Sequence, residues 1–156
     1  MAKEIERKFL VTNDELALST CDILSSLMIT QTYLSKTDNG VIRVRLIDDL
    51  LEGGCKAVLT IKSSNVGISR HEYEYDIPTS DAAELINSVS GHTICKNRVV
   101  LRDDNQQVWD VDFFTGMQEG LILAEIELAD ENQQVVIPDW VGEEVSNNPS
   151  YFNSNM

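Results

Sequence analysis

From Lys3 to Val11 the chain alternates. In EIERKFLV, Ile5, Arg7 and Phe9 fall on one side of an extended backbone and Glu4, Glu6 and Lys8 on the other, because successive side chains of a strand point to opposite faces. Strand-like runs, about eight in all, recur near residues 28–36, 41–50, 55–64, 70–78, 93–102, 107–115 and 121–130. Turn formers separate several of them: Asp38-Asn39-Gly40, Gly53-Gly54, Ser64-Asn65-Val66-Gly67 and Asp103-Asp104-Asn105. Short links favour antiparallel neighbours. Helical patterns are fewer. Asp81 and Glu84 predict a capping box that opens DAAELINSVS, with Gly91 at its end, and NDELALST predicts a shorter helix after Thr12. Beyond Pro138 the chain reads as loop and short helix. The pattern predicts an α+β fold, a mainly antiparallel barrel or strongly curved sheet with a few peripheral helices. No repeat or linker interrupts it, so residues 1–156 are expected to form one domain.

Composition narrows the partners. Hydrophobic residues make up 42% and aromatics 6%, enough to build a core. A formal net charge of -14 argues against nucleic-acid binding through a generally basic surface. Cys21, Cys55 and Cys95 lack the spacing of a disulfide framework or zinc knuckle and read as reduced thiols. Charged residues stand where a signal peptide would need an apolar stretch, and no run approaches transmembrane length. A cytoplasmic protein with no membrane or nucleic-acid partner is expected; a homodimer is left open.

The polar side of the strands is charged rather than mixed. VIRVRL places Arg43 and Arg45 together, RHEYEYDI places Glu72 and Glu74, CKNRVV places Lys96 and Arg98, WDVDF places Asp110 and Asp112, and AEIEL places Glu125 and Glu127. LTIKS adds Lys62 alone. One doublet fits any solvated sheet face. A solvent face, however, would mix in Ser, Thr, Asn and Gln and would not reserve so many of 12 Lys and Arg for doublets. Arg clamps phosphate oxygens through a planar fork and Lys acts as a point charge. Paired carboxylates suit Mg²⁺ or Mn²⁺, hard ions that also bind substrate phosphates. Both sets belong together around a metal polyphosphate. No glycine-rich phosphate loop is present, so side chains would hold any phosphate. His71 and His92, the only histidines, form no recognisable metal or nucleophile motif, and His71 reads as a strand surface residue. Trp109 and Phe113 have the opposite parity to the aspartates and read as packing.

EIERKFLV resembles the E-x-E-x-K signature of the CYTH superfamily, or triphosphate tunnel metalloenzymes, which includes class IV adenylate cyclases, thiamine triphosphatases and inorganic triphosphatases. QTYL, IRVRL, LTIKS, SRHEYEY, CKNRVVL, WDVDFFTG, LAEIEL and WVGEEVSNNPSYFNSNM follow in family order, so the resemblance covers nearly the whole chain. It implies an eight-stranded antiparallel barrel forming a tunnel lined by charge. Glu4 and Glu6 would then serve the metal with Asp112, Glu125 and Glu127. Lys8, Arg43, Arg45, Lys62, Lys96 and Arg98 would hold the triphosphate. Glu72 and Glu74 would either orient the arginines or support a second metal, and Tyr33, Arg70 and Asp110 are further lining candidates. Family members often carry basic residues in the last helix, near the tunnel mouth. Here no cation follows Pro149, so closure of that mouth, or a contact there, is not implied.

The expected activity is Mg²⁺- or Mn²⁺-dependent hydrolysis of a short polyphosphate, inorganic triphosphate before others, with Lys8 or Lys62 as candidates to assist the attacking water. Alternatives on the same scaffold are a class IV-type adenylate cyclase, a thiamine triphosphatase, and a non-catalytic polyphosphate-binding module.

Overall fold

The computed structural model describes residues 3–89 and 93–156. Eight strands close into an antiparallel barrel: β1 (Lys3–Val11), β2 (Asp22–Thr37), β3 (Gly40–Asp49), β4 (Cys55–Ser63), β5 (Ser69–Ile77), β6 (Thr93–Arg102), β7 (Val108–Phe114) and β8 (Ile122–Glu127). The order around the wall is β5-β4-β3-β2-β6-β7-β8-β1, and β1 returns to β5 where Lys3, Glu4 and Ile5 pair with His71, Arg70 and Ser69. Past that point the same edge of β1 is covered by a ninth strand, β9 (Val141–Glu144), through Phe9 opposite Glu144 and Val11 opposite Val141. Two helices, α1 (Asp14–Thr20) and α2 (Thr79–Ser88), lie outside the wall.

The alternation that aims charge inward puts the hydrocarbon outside. Ile5, Phe9, Val99, Leu101, Trp109, Val111, Ala124 and Ile126 face away from the tunnel and are covered by Ala17 of α1 and by Trp140 and Val141. Edge-to-face rings knit this layer: Phe9 to Trp109 at 5.7 Å and Trp109 to Trp140 at 5.5 Å. The buried Trp109 indole donates to Asp103 Oδ2 at 2.9 Å, which satisfies its only polar group. On the other side, Ala82, Leu85 and Ile86 of α2 pack on Val44 and Ala57.

Several local expectations are corrected. β2 begins at Asp22, six residues before the predicted run, because its first residues pair with β6 as far as Arg102. β9 falls in a segment expected to be loop; only four residues long, it carries no period to read. The tail takes two 3₁₀ turns, Pro149–Tyr151 and Asn153–Asn155. α2 starts two residues before the expected box, with Pro78 as its cap and no side-chain cap bond, so Asp81 sits in the first turn and acts on the helix dipole instead. Gly91, its expected end, and His92 lie outside the described residues. α1 matches its reading: Asn13 accepts from the Leu16 N–H, with Asp14 and Glu15 in the first turn.

Gly40 joins β2 to β3 at φ 142°, and a methyl group there would collide with the Lys62 carbonyl across the β3–β4 pair. Gly40→Ala should therefore cost at least about 2 kcal/mol in urea unfolding through strain and displaced backbone. Unchanged stability would show that the hairpin moves freely of Lys62.

Candidate active site

The inward side chains surround a cavity of about 210 Å³. β1 contributes Glu4, Glu6 and Lys8; β3 contributes Arg43 and Arg45; β4, Lys62; β5, Arg70, Glu72 and Glu74; β6, Lys96 and Arg98; β7, Asp110; and β8, Glu125 and Glu127. Tyr33 reaches it from β2. Every residue singled out from the doublets is thus brought together except Asp112, which lies behind the lining at 1% exposure. Both Asp112 oxygens are already engaged. Oδ1 accepts from Arg98 Nε at 2.7 Å; Oδ2 accepts from Arg98 Nη2 at 2.9 Å and faces Lys96 Nζ at 2.8 Å. In this arrangement Asp112 serves as a counter-ion for two cations.

The charges separate into two regions. On the acidic side, Lys62 sits between Glu4 at 3.2 Å and Glu72 at 2.9 Å, and Arg70 approaches Glu4 at 3.6 Å. Glu6 is register-paired with Glu127 and lies beside Glu125. Lys8 Nζ is 3.9 Å from Glu125 and donates to the Tyr151 carbonyl at 3.1 Å. Glu74 and Glu127 stand at the exposed rim. On the basic side, Arg43 and Arg45 make no ion pair among the described residues. Arg45 Nε donates to Gln31 Oε1 at 2.7 Å and Arg43 Nη2 to Thr60 at 3.2 Å, while the buried Arg43 Nε has no partner.

Burial and these neighbours set the protonation. Burial pushes the Arg45 guanidinium down to about 9, helped by Arg43 and Arg98, which still leaves it charged at neutral pH. Burial also holds the Lys96 ammonium well below its ordinary value, against the pull of Asp112. For Asp112 burial works upward but Arg98 and Lys96 outweigh it, and the carboxyl is held at about 2. Burial, then the charge of Glu125, lifts Glu6 well above the usual carboxylate range; Glu125 is kept well below it because Lys8 and Arg98 outweigh its own burial. Glu4 is raised, chiefly by burial, beside a lowered Glu72. Without a bound cation, burial and repulsion from neighbouring carboxylates thus favour the protonated forms of Glu4 and Glu6.

Gln31, Thr60, Phe152, Asn153 and Ser154 belong to the site and were not singled out from the sequence. Gln31 shares the parity of Tyr33 in QTYL, a signal that was available. The tail gave none: Asn153 accepts from Lys96 Nζ at 2.8 Å and from Gln31 Nε2 at 3.3 Å, from a segment with no doublet and no charge.

The donor chemistry fits a hard divalent ion. Glu4, Glu6, Glu125 and Glu127 offer carboxylate oxygens on adjacent strands, and the burial and repulsion that raise Glu6 beside Glu125 are what a bound cation would offset. Among the described residues no three of these acids already enclose an ion position. An ion of the Mg²⁺ type binds through one or two carboxylates and completes its shell with water and substrate phosphates.

A barrel with this lining defines a family. The CYTH domain model matches residues 2–154, and the chain belongs to the CYTH family. An inorganic triphosphatase of Acetivibrio thermocellus is 37% identical over 156 residues, 100% of this chain and 94% of the relative. Another, of Nitrosomonas europaea, is 33% identical over 153 residues, 96% of this chain and 93% of the relative. The crystal structure of an inorganic triphosphatase superposes with a TM-score of 0.67 at 30% identity, covering 99% of this chain and 94% of that one. Among the described residues no helix is long and apolar enough to cross a membrane.

The raised Glu6 gives a pH prediction. Folded Glu6 keeps its proton at pH values where the unfolded chain, with an ordinary carboxyl near 4.5, has lost it. The native state then binds the extra proton, so stability falls as pH rises above that ordinary value until Glu6 itself ionises. In chelator, the wild-type melting temperature should drop between pH 5 and 8, and Glu6→Gln should flatten that drop and be the more stable form at pH 8. Equal pH dependence in the two proteins would remove Glu6 as its source.

Proposed function

We propose that the chain is a metal-dependent inorganic triphosphatase, converting triphosphate and water to pyrophosphate and phosphate. The observation that carries it is a pair of arginines without a carboxylate partner among the described residues, Arg43 buried with an unpartnered Nε and Arg45 half-buried, facing a cavity whose opposite side is rich in carboxylate. A buried cation lacking an anion is costly unless a ligand supplies one. A polyphosphate supplies several, and the names of the relatives agree.

Arg43 and Arg45 grip phosphate oxygens through their forks, with Gln31 and Thr60 orienting them, while Lys96 and Arg98, held by Asp112, add fixed positive charge. Glu4, Glu6, Glu125 and Glu127 would hold Mg²⁺ or Mn²⁺, which when bound would supply charge neutralisation at the phosphate oxygens and polarisation of the attacking water. Water forms the new O–P bond as the bridging P–O bond breaks; pyrophosphate leaves with the electron pair, and the proton the water gives up passes to the product phosphates or to solvent. Lys62, between two carboxylates, and Lys8, donating to a carbonyl and beside Glu125, act as ammonium ligands of phosphate rather than as bases. Glu72 orients Lys62. The cavity is smaller than the roughly 300–1,000 Å³ of pockets that enclose drug-sized ligands, which favours triphosphate without a nucleoside.

Phosphate release from triphosphate should require added Mg²⁺ or Mn²⁺ and stop in excess chelator. Measured at matched free metal, kcat/KM should be higher for triphosphate than for ATP or thiamine triphosphate; full activity in chelator, or cyclic AMP from ATP, would overturn the assignment.

Arg45→Ala should lose a charge-assisted contact worth roughly 1.5–3 kcal/mol, or about 10- to 150-fold in kcat/KM. Arg45→Lys should recover only part of this, since a point charge lacks the fork. Lys36→Ala, exposed near the β2–β3 turn, should be near wild type. Similar losses in the two alanine variants would contradict the inward role of Arg45.

A further inference from the structure

The tail that enters the tunnel is neutral, anchored and bonded to the phosphate-gripping cations. Asn153 Oδ1 accepts from Lys96 Nζ at 2.8 Å and from Gln31 Nε2 at 3.3 Å, and Gln31 in turn accepts from Arg45 Nε. One residue earlier, the Phe152 ring lies 5.8 Å from Lys8 Nζ, which also donates to the Tyr151 carbonyl. The segment is fixed from behind. Asn155 Nδ2 donates to the Pro149 carbonyl at 2.8 Å, Asn148 caps the preceding turn, and Tyr151 and Met156 pack on the cluster of Ile94, Phe114, Leu123 and Val145. It is therefore a built wall of the cavity, in contact with cations on two sides, that contributes no charge of its own.

We propose that Asn153, with Phe152, is the specificity-determining end-stop of the tunnel, limiting the bound polyphosphate to three phosphoryl groups. A longer chain would have to push the amide off Lys96 and Gln31. That would cost a hydrogen bond to a buried ammonium and would disturb the residue that orients Arg45. Triphosphate leaves those bonds intact and meets the arginines already aimed. A basic residue in the tail would act differently, adding a grip on whichever phosphate lay nearest; an amide supplies shape and orientation alone. The proposal rests on the triphosphatase reading and names the chain-length selectivity of that same site.

The test compares linear triphosphate and tetraphosphate in wild type, Asn153→Ala and the double variant Phe152→Gly, Asn153→Gly of the full chain, by kcat/KM with Mg²⁺ and by calorimetric binding. Wild type should favour triphosphate. Both variants should shift the tetraphosphate-to-triphosphate ratio toward the longer chain, the double variant by about 10-fold or more. A tail that merely braces the barrel would lower the melting temperature and both kcat/KM values together, with the ratio unchanged, and that result would overturn the proposal. Should the double variant fail to fold, Asn153→Ala decides alone. If wild type cleaves neither compound, the triphosphatase reading fails, and the ratio of binding constants across the variants still decides whether the tail measures length.

Discussion

Charge fills the place where an eight-stranded barrel ordinarily keeps side chains packed in hydrocarbon, and the rest of the molecule is arranged around that constraint. A strand shows two faces; if one is charged and points in, the other must be apolar and must be covered from outside. α1, β9 and the Trp140 segment cover one side of the wall and α2 another, so the elements that look peripheral supply the core. The Phe9–Trp109–Trp140 stack belongs to that outer layer. It lies on the reverse of the same strands that present Glu6, Lys8 and Asp110 to the cavity. Stability and chemistry are thus two readings of one alternation.

Inside, equal numbers of acidic and basic side chains line the cavity, yet they do not simply cancel. Asp112 takes two cations for itself, and Lys62 takes two carboxylates. What is left over is directional. Among the described residues Arg43 and Arg45 lack acids on one side, and on the other Glu6 is raised by burial and by the charge of Glu125. A ligand that is anionic throughout but accompanied by a cation satisfies both remainders at once. This is why the arrangement suits a metal polyphosphate better than either partner alone. The protein as a whole carries a charge of -14, so the basic region is a local exception in a repulsive field, and the tunnel must present its cations at close range.

The barrel and most of its lining could be read from the sequence because both are encoded in period two. Arg43 and Arg45, Lys96 and Arg98, and Glu125 and Glu127 show their common face without any knowledge of the partners. Depth was not legible. Asp112 has the same parity as Asp110, yet one carboxylate lines the cavity and the other is 1% exposed behind it, two residues further along β7 and opposite Arg98 in register, which bridges the two. Neutral members of the site were also hidden, since Gln31 and Thr60 resemble ordinary strand polar residues until their arginines are seen to need acceptors. The tail was hidden for a different reason: 3₁₀ turns carry no amphipathic period, and its contacts reach back 57 residues to Lys96 and 122 to Gln31.

The neutrality of that tail follows from the charge already present around it. Lys96 and Arg98 are compensated by Asp112, Lys96 and Asp112 are each 1% exposed, and burial already works against the charge on Lys96 and Arg45. A further buried cation beside them would raise the cost of the empty site, whereas a carboxylate would neutralise the excess that a substrate is to find. An amide avoids both. It gives Lys96 an acceptor, gives Gln31 a partner that fixes its own grip on Arg45, and leaves the electrostatic balance of the tunnel to the strands. The absence of basic residues after Pro149 is thus consistent with a tunnel whose cations are supplied in full by its walls.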